Sequence, residues 1–265
     1  LNYLSEFIPS IRKNFPTYRS FASATLSSVF SPAQLNQTLQ LSADHFESGL
    51  LINDGRGNFT WRALPRLAQA SPGFGVVTTD MNGDGNTDLH CVQNFFTREP
   101  GTGLWRGGIG FSGSFDNGGH FHVTPFAQSG FLVDGDGKGL TVCDFDEDGW
   151  PDLVATQNNQ RMLAFKNNHP TSAKHPLRLQ LQGLKNNPTG VGSRVTVSFV
   201  KGGIKAQELY AGSGYLSQSS ATMYLAAPEH LDGIEIHWPD GAQSEASASD
   251  HKQHLLVIKH PELAD

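Results

Sequence analysis

Cysteine is scarce in this chain. Cys91 and Cys143 are the only two in 265 residues, so one disulfide at most can form. Neither a disulfide framework nor a cysteine-rich zinc site is available. The alternative is two buried thiols. Charge is scarce too: Asp, Glu, Lys and Arg make up 17% of the chain, against roughly 25% in soluble domains. There is no Lys/Arg run and the formal net charge is −6. That speaks against a nucleic-acid partner, whose binders carry a basic stripe. No apolar stretch approaches the ~20 residues of a membrane-spanning helix, and no basic-then-apolar leader precedes the first helix pattern. The start at Leu1 reads as a processed chain or a piece of a longer one. Catalytic signatures are missing as well: there is no G-x-S-x-G elbow, no H-E-x-x-H pair and no P-loop. Ser10-Ile11-Arg12-Lys13 matches S-x-x-K without the S-D-N and K-T-G partners of that enzyme class.

Glycine is abundant, at 29 positions, and it comes with many Asn, Ser and Thr. This mixture suits many short strands joined by turns. Only residues 1–47 read as helical. Leu4, Phe7, Ile8, Ile11 and Phe15 follow the spacing of one helix face. Pro16 ends that pattern, and Thr17 caps a second one carrying Phe21, Ala24, Leu26 and Val29. Ser31-Pro32 is a third helix start. From Leu50 to Leu256 short apolar runs alternate with Gly/Asn/Asp turns, which is an all-β signature. The polar, proline-flanked stretch from His169 to Pro176 reads as a boundary, giving one segment at 48–168 and another at 175–260.

The scarce charge is concentrated. Ten of the sixteen aspartates lie between Asp80 and Asp152. Most belong to a repeat: Asp80-Met81-Asn82-Gly83-Asp84-Gly85-Asn86-Thr87-Asp88 recurs 64 residues later as Asp144-Phe145-Asp146-Glu147-Asp148-Gly149-Trp150-Pro151-Asp152. A weaker echo links Asn53–Phe59 with the turn Asp116-Asn117-Gly118-Gly119-His120-Phe121. A period in the low sixties suits a four-stranded propeller blade with generous loops.

Each copy reads D-x-[DN]-x-D-G-x-x-D. Side-chain oxygens at positions 1, 3 and 5 converge if the chain coils tightly, and Gly85 and Gly149 at position 6 permit the turn. The backbone carbonyl at position 7, Asn86 or Trp150, adds a ligand. Six to eight oxygens suit Ca²⁺ better than Mg²⁺. The twelfth position of an EF-hand, a bidentate Glu, is here Cys91 or Ala155. Asp88 and Asp152 at position 9 must close the shell instead, between strands rather than helices. The expected ligand set is therefore Asp80, Asn82, Asp84, Asn86 and Asp88 for one ion, and Asp144, Asp146, Asp148, Trp150 and Asp152 for a second, both structural. Two like charges 4 Å apart repel by about 4 kcal/mol at an effective dielectric near 20, so such loops favour a cation. The competing reading is an acidic turn whose aspartates cap their own backbone.

These repeats resemble the FG-GAP/VCBS blades of integrin-like β-propellers. Asn187–Val195, Gly212–Ser220 and Ile234–Gly241 resemble, in order, the motifs of the ASPIC/UnbV domain. The combination is similar to cartilage-acidic-protein-like and bacterial VCBS proteins. The resemblance implies a partial propeller followed by a small β-sandwich-like domain. It also implies an extracellular, cell-surface or periplasmic location and a non-enzymatic role in binding a protein or glycan. Two or three blades cannot close a ring, so further blades or another chain should cover the open edges. A carbohydrate-binding or lyase-like propeller is the alternative.

Other groups carry weaker signals. Asp136, in the run Asp134–Gly139, is either a further ligand or part of a glycine turn. His120 and His122 share a strand face, as do Glu235 and His237, and each pair is either a metal site or ordinary surface. Phe95, Phe96, Trp105, Phe111 and Phe115 either present flat surfaces to a partner or pack between blades. The hydroxyls of Gly212–Ser220 serve either a glycan or a tight β-arch.

Overall fold

The computed structural model describes residues 1–39, 41–99, 103–116, 119–169 and 174–263. The echo residues Asn117 and Gly118, and residues 170–173 of the expected boundary, lie outside that set. The chain divides into two compact units, one built mainly on Leu1–Phe46 and the other on residues 47–97 and 104 onward.

The first unit is a string of short helices: α1 (Asn2–Phe7), α2 (Ser10–Asn14), α3 (Tyr18–Ala22), α4 (Leu26–Val29) and α5 (Pro32–Asn36). The apolar spacing from Leu4 to Phe15 fits one helix, yet the chain breaks at Ile8, with φ −131° and ψ 79°. Pro9 is the cause, because its ring excludes the helical conformation from the residue before it. The second expected helix also divides, where Thr25 turns extended and starts α4. Thr17 with Ser20, and Ser31 with Gln34, form reciprocal capping boxes.

The second unit is mostly strand, so the all-β class stands, and no closed barrel forms among the described residues. The hairpin β1 (Gly49–Asn53) and β2 (Phe59–Ala63) comes first. Next come β3 (Gly73–Thr79), β4 (Asp88–Gln93), β5 (Phe95–Glu99), β6 (Gly103–Trp105), β7 (Phe111–Phe115) and β8 (Phe121–Thr124). Of these, β3-β4-β7-β8 make an antiparallel sheet in that order. A second antiparallel sheet has the order β11-β10-β9, from β9 (Gly137–Cys143), β10 (Asp152–Gln157) and β11 (Leu163–Phe165). The first strands of these two sheets run against each other. Gly75 of β3 lies on the β9 backbone at Lys138 and Leu140, where a Cβ would overlap main-chain atoms. Val77, Val92, Leu140, Val142, Leu153 and Ala155 fill the core between them.

The remaining strands are β12 (Leu177–Gln182), β13 (Arg194–Phe199), β14 (Ile204–Glu208), β15 (Met223–Leu225), β16 (Leu231–His237), β17 (Gln243–Ala246) and β18 (Leu255–Lys259). They form two sheets, β15-β12-β18 and β14-β13-β16-β17. Alternate residues face one core: Leu177, Leu179 and Leu181 from one sheet, Val195, Val197, Ile234 and Ile236 from the other. Each such side chain contributes roughly 1.5–3 kcal/mol of transfer free energy, which makes this sandwich core a main source of stability.

Both cysteines are free. Cys91 is buried in β4, where desolvation pushes its thiol up to about 12. At ordinary pH it is a small apolar side chain, not a nucleophile.

Candidate metal centre

The two aspartate loops hold the same place in their sheets. Thr79 pairs with Asp88 across the β3–β4 hairpin, and Cys143 pairs with Asp152 across β9–β10. Position 1 therefore follows the last residue of one strand, and position 9 is the first residue of the next.

Their hydrogen bonds also correspond. The position-6 amide, from Gly85 or Gly149, donates to the position-1 carboxylate at 2.7 and 2.9 Å. The position-2 amide, from Met81 or Phe145, donates to Oδ2 of the position-9 aspartate at 3.0 and 3.1 Å. The position-7 amide, from Asn86 or Trp150, donates to Oδ1 at position 5, at 2.7 and 3.0 Å. Positions 4 and 6 take positive φ in both loops: Gly83 (74°) and Gly85 (88°), Glu147 (62°) and Gly149 (88°). Glu147 adopts the left-handed region where its counterpart is glycine, a conformation that costs of order 1 kcal/mol or more without a glycine.

These contacts place at least one oxygen of each loop aspartate on a backbone amide, and both oxygens of Asp80 and Asp152. In the second loop, oxygens of Asp144, Asp146 and Asp152 lie within 4.8 Å of one another. This cluster of three acidic residues has the donors to bind a metal ion. Asp144 Oδ1 is buried and has no hydrogen-bond partner, an orphan acceptor of the kind a bound cation would satisfy. The oxygen-only donor set fits a hard cation. Trp150 is buried, with its ring stacked on His169 at 4.1 Å.

Electrostatics separate the loops. In the first, burial pushes Asp88 up to about 7, helped by the charges of Asp80 and Asp84. Burial likewise pushes Asp80 to about 6. In the second loop Asp152 is raised by burial, whereas Asp146 is lowered by its bond to Lys166. Arg178 Nη1 reaches Asp144 Oδ2 at 3.4 Å.

Several contributors lie outside the motif. Asn167 donates its backbone amide to Asp152 Oδ1 at 2.8 Å and its side-chain amide to Met81 O at 2.8 Å, tying the loops together. Lys205 of β14 donates to Gly85 O, and the Ala227 amide donates to Gly83 O at 3.1 Å. Lys166, Asn167, Arg178 and Lys205 follow no spacing relative to the repeat, so no sequence signal marks them.

The other candidates fall elsewhere. Asp136 is buried, its oxygens taken by Lys138 (2.5 Å) and Asn158 (3.0 Å). Lys138 in turn lies over the ring of Phe74, which stacks on Phe95. Phe96 is half-buried and Trp105 exposed. Phe111 and Phe115 do not form a platform: Phe111 is buried, and both pack on Phe121. His120 and His122 both bond to Asp116, and His237 bonds to Glu235. Two hydroxyls of 212–220 reach the edge of β9: Ser217 Oγ donates to Leu140 O and Ser219 Oγ accepts from Val142 N, while Ser213 Oγ accepts the Ser219 amide within the loop.

Residues 183–264 match the family model described as ASPIC and UnbV, the region that holds the three motifs read from the sequence. The chain is 26% identical to cartilage acidic protein 1 of Xenopus tropicalis over 207 residues, covering 71% of this chain and 29% of that protein. It is 27% identical to the Homo sapiens cartilage acidic protein 1 over 228 residues, 78% of this chain and 31% of that one. The chain thus spans less than a third of the length of the curated relatives it matches.

Proposed function

We propose that this chain is a non-enzymatic, calcium-stabilised interaction module of the extracellular space or cell surface. In this reading β3-β4-β7-β8 and β11-β10-β9 are successive FG-GAP/VCBS blades of a larger propeller, and further blades or another chain cover their open edges. One ion in each loop, held by Asp80, Asn82, Asp84, Asn86 and Asp88 or by Asp144, Asp146, Asp148, Trp150 and Asp152, fixes the strands on either side. The observation that carries the reading is the set of three backbone-to-carboxylate hydrogen bonds that the two loops share, with Asp144 Oδ1 left unpartnered beside converging carboxylates. Similarity to the cartilage acidic proteins supports the extracellular location. A protein or glycan is the expected partner.

A thermal melt tests the ion. With 1 mM calcium and sites of about 10 μM affinity, each ion adds about 2.7 kcal/mol. At 2–4 °C per kcal/mol for a chain of this size, EDTA lowers the melting temperature by roughly 10–20 °C, and mass measurement finds about two ions per chain. An EDTA melt that overlays the calcium melt removes the proposal.

The first loop adds a pH dependence. Calcium needs Asp80 and Asp88 ionised, while burial raises them to about 6 and about 7 in the ion-free protein and so keeps protons on them in mild acid. Calcium affinity at that loop is expected to fall roughly twentyfold between pH 8 and pH 6. The ion-free protein moves the other way. A carboxyl raised in the fold stabilises it fully below pH 4, and that contribution is lost as pH rises through 7. Melting in EDTA at pH 5.5 and 8 gives the second sign, and calorimetric titration at the two pH values gives the first.

A further inference from the structure

The second loop already carries a cation of its own. Lys166 lies just beyond β11, and its ammonium pairs with Asp146 Oδ2 and, at 3.2 Å, with Asp148 Oδ2. The remaining oxygens, Oδ1 of Asp146 and of Asp148, accept the amides of Asp148 and Trp150. With Oδ1 turned to the backbone, Oδ2 is the atom each side chain has left for an ion, and Lys166 holds both. The first loop is arranged differently. Its position-5 oxygen, Asp84 Oδ2, accepts only the neutral amide of Asn82 at 3.2 Å among the bonds described. Its lysine, Lys205, donates to the Gly85 carbonyl, and although its charge acts on Asp80, Asp84 and Asp88 it forms no ion pair with them among the described contacts.

Resting on the calcium reading, we propose that Lys166 is a tethered counter-ion of the second loop: it holds Asp146 and Asp148 together while the loop is empty, and a divalent cation displaces it, so the second loop fills after the first. An ammonium brings one charge and reaches two of the four carboxylates. A divalent ion brings two charges and also satisfies Asp144 Oδ1, which Lys166 leaves unpartnered. Departure is easy. The Lys166 side chain is half exposed, it leaves from the outer strand of its sheet, and the next residue, Asn167, stays anchored on Asp152. Half exposure also screens the two ion pairs, so the penalty they set on the incoming ion is moderate.

Calcium titration of the full chain by calorimetry, paired with melting in EDTA, tests this on Lys166→Met, with Lys185→Met on an exposed turn as the charge control. Wild type should show a tighter and a weaker site. In Lys166→Met the weaker site should tighten about tenfold while the EDTA melting temperature falls. Those opposite signs are not produced by a lysine that only stabilises the fold. Lys185→Met should change neither. Unchanged or weaker calcium binding in Lys166→Met overturns the inference while leaving the calcium sites standing. Two wild-type sites of equal affinity overturn the filling order. A wild-type chain that takes up no calcium overturns the site reading, and this inference with it.

Discussion

Asp88→Asn is expected to stabilise the calcium-free protein and destabilise the calcium-loaded one. Asp88 is the first residue of β4, buried, and paired with Thr79 on one side and Ser114 on the other. Its Oδ2 accepts the Met81 amide, a bond that an asparagine oxygen can keep. Its charge, however, sits where burial, Asp80 and Asp84 all oppose it, which raises its pKa to about 7. A displacement of about three units corresponds to roughly 4 kcal/mol of disfavoured charge above neutrality. Replacement by a neutral isostere, with allowance for imperfect packing of the amide, should return about 1–3 kcal/mol at pH 8 in EDTA. That is a rise of several degrees in melting temperature. In calcium the sign reverses, because the position-9 ligand has gone and one of two ions is lost. Melting in both buffers with an ion count decides the matter. A variant less stable than wild type in EDTA, or one that still binds two ions, would sink the assignment of Asp88.

Much of this site is legible from the repeat. Alternating oxygens with a glycine at position 6 specify a tight coil, and placing the loops between apolar runs puts them in hairpins, as Thr79–Asp88 and Cys143–Asp152 pair. What closes the loops is not legible. Asn167, Lys166 and Arg178 arrive from segments with no pattern tying them to the repeat. Gly212–Ser220 reads as either a glycan-binding loop or a tight β-arch, and the hydroxyls of Ser217 and Ser219 bond to the edge of β9, 77 residues away in sequence. For Phe111 and Phe115 the glycine-rich run leaves a partner-facing surface and internal packing both open, and the β7–β8 pairing sets them against Phe121. In the helical segment the apolar period is outweighed by Pro9, because a backbone restriction at one residue is stronger than an amphipathic preference spread over twelve. Local chemistry specifies the coil and its carboxylates, and tertiary pairing decides their neighbours.

Asp152→Ala is expected to be far more damaging than Asp88→Asn, and damaging in both buffers. Asp152 is fully buried, and both of its oxygens carry structure: Oδ2 accepts the Phe145 amide and Oδ1 the Asn167 amide. Alanine removes both acceptors at once. Each half-buried amide left without a partner costs about 1–3 kcal/mol. Loss of a buried charge returns part of that, since burial raises Asp152 as well. A net loss of about 3–4 kcal/mol in EDTA remains, a large share of the 5–15 kcal/mol that holds a domain folded. In calcium the loss grows by the binding energy of the second ion. The damage should also travel. Asn167, freed from Asp152, is the residue whose side chain holds Met81 O in the first loop. Calcium affinity at that loop is therefore expected to weaken severalfold although none of its own ligands has changed. Calorimetric titration of the variant reads that affinity directly. If the first loop binds as in wild type while the second is lost, Asn167 does not couple them. If melting in EDTA is unchanged, the two amide bonds to Asp152 are not what closes the loop.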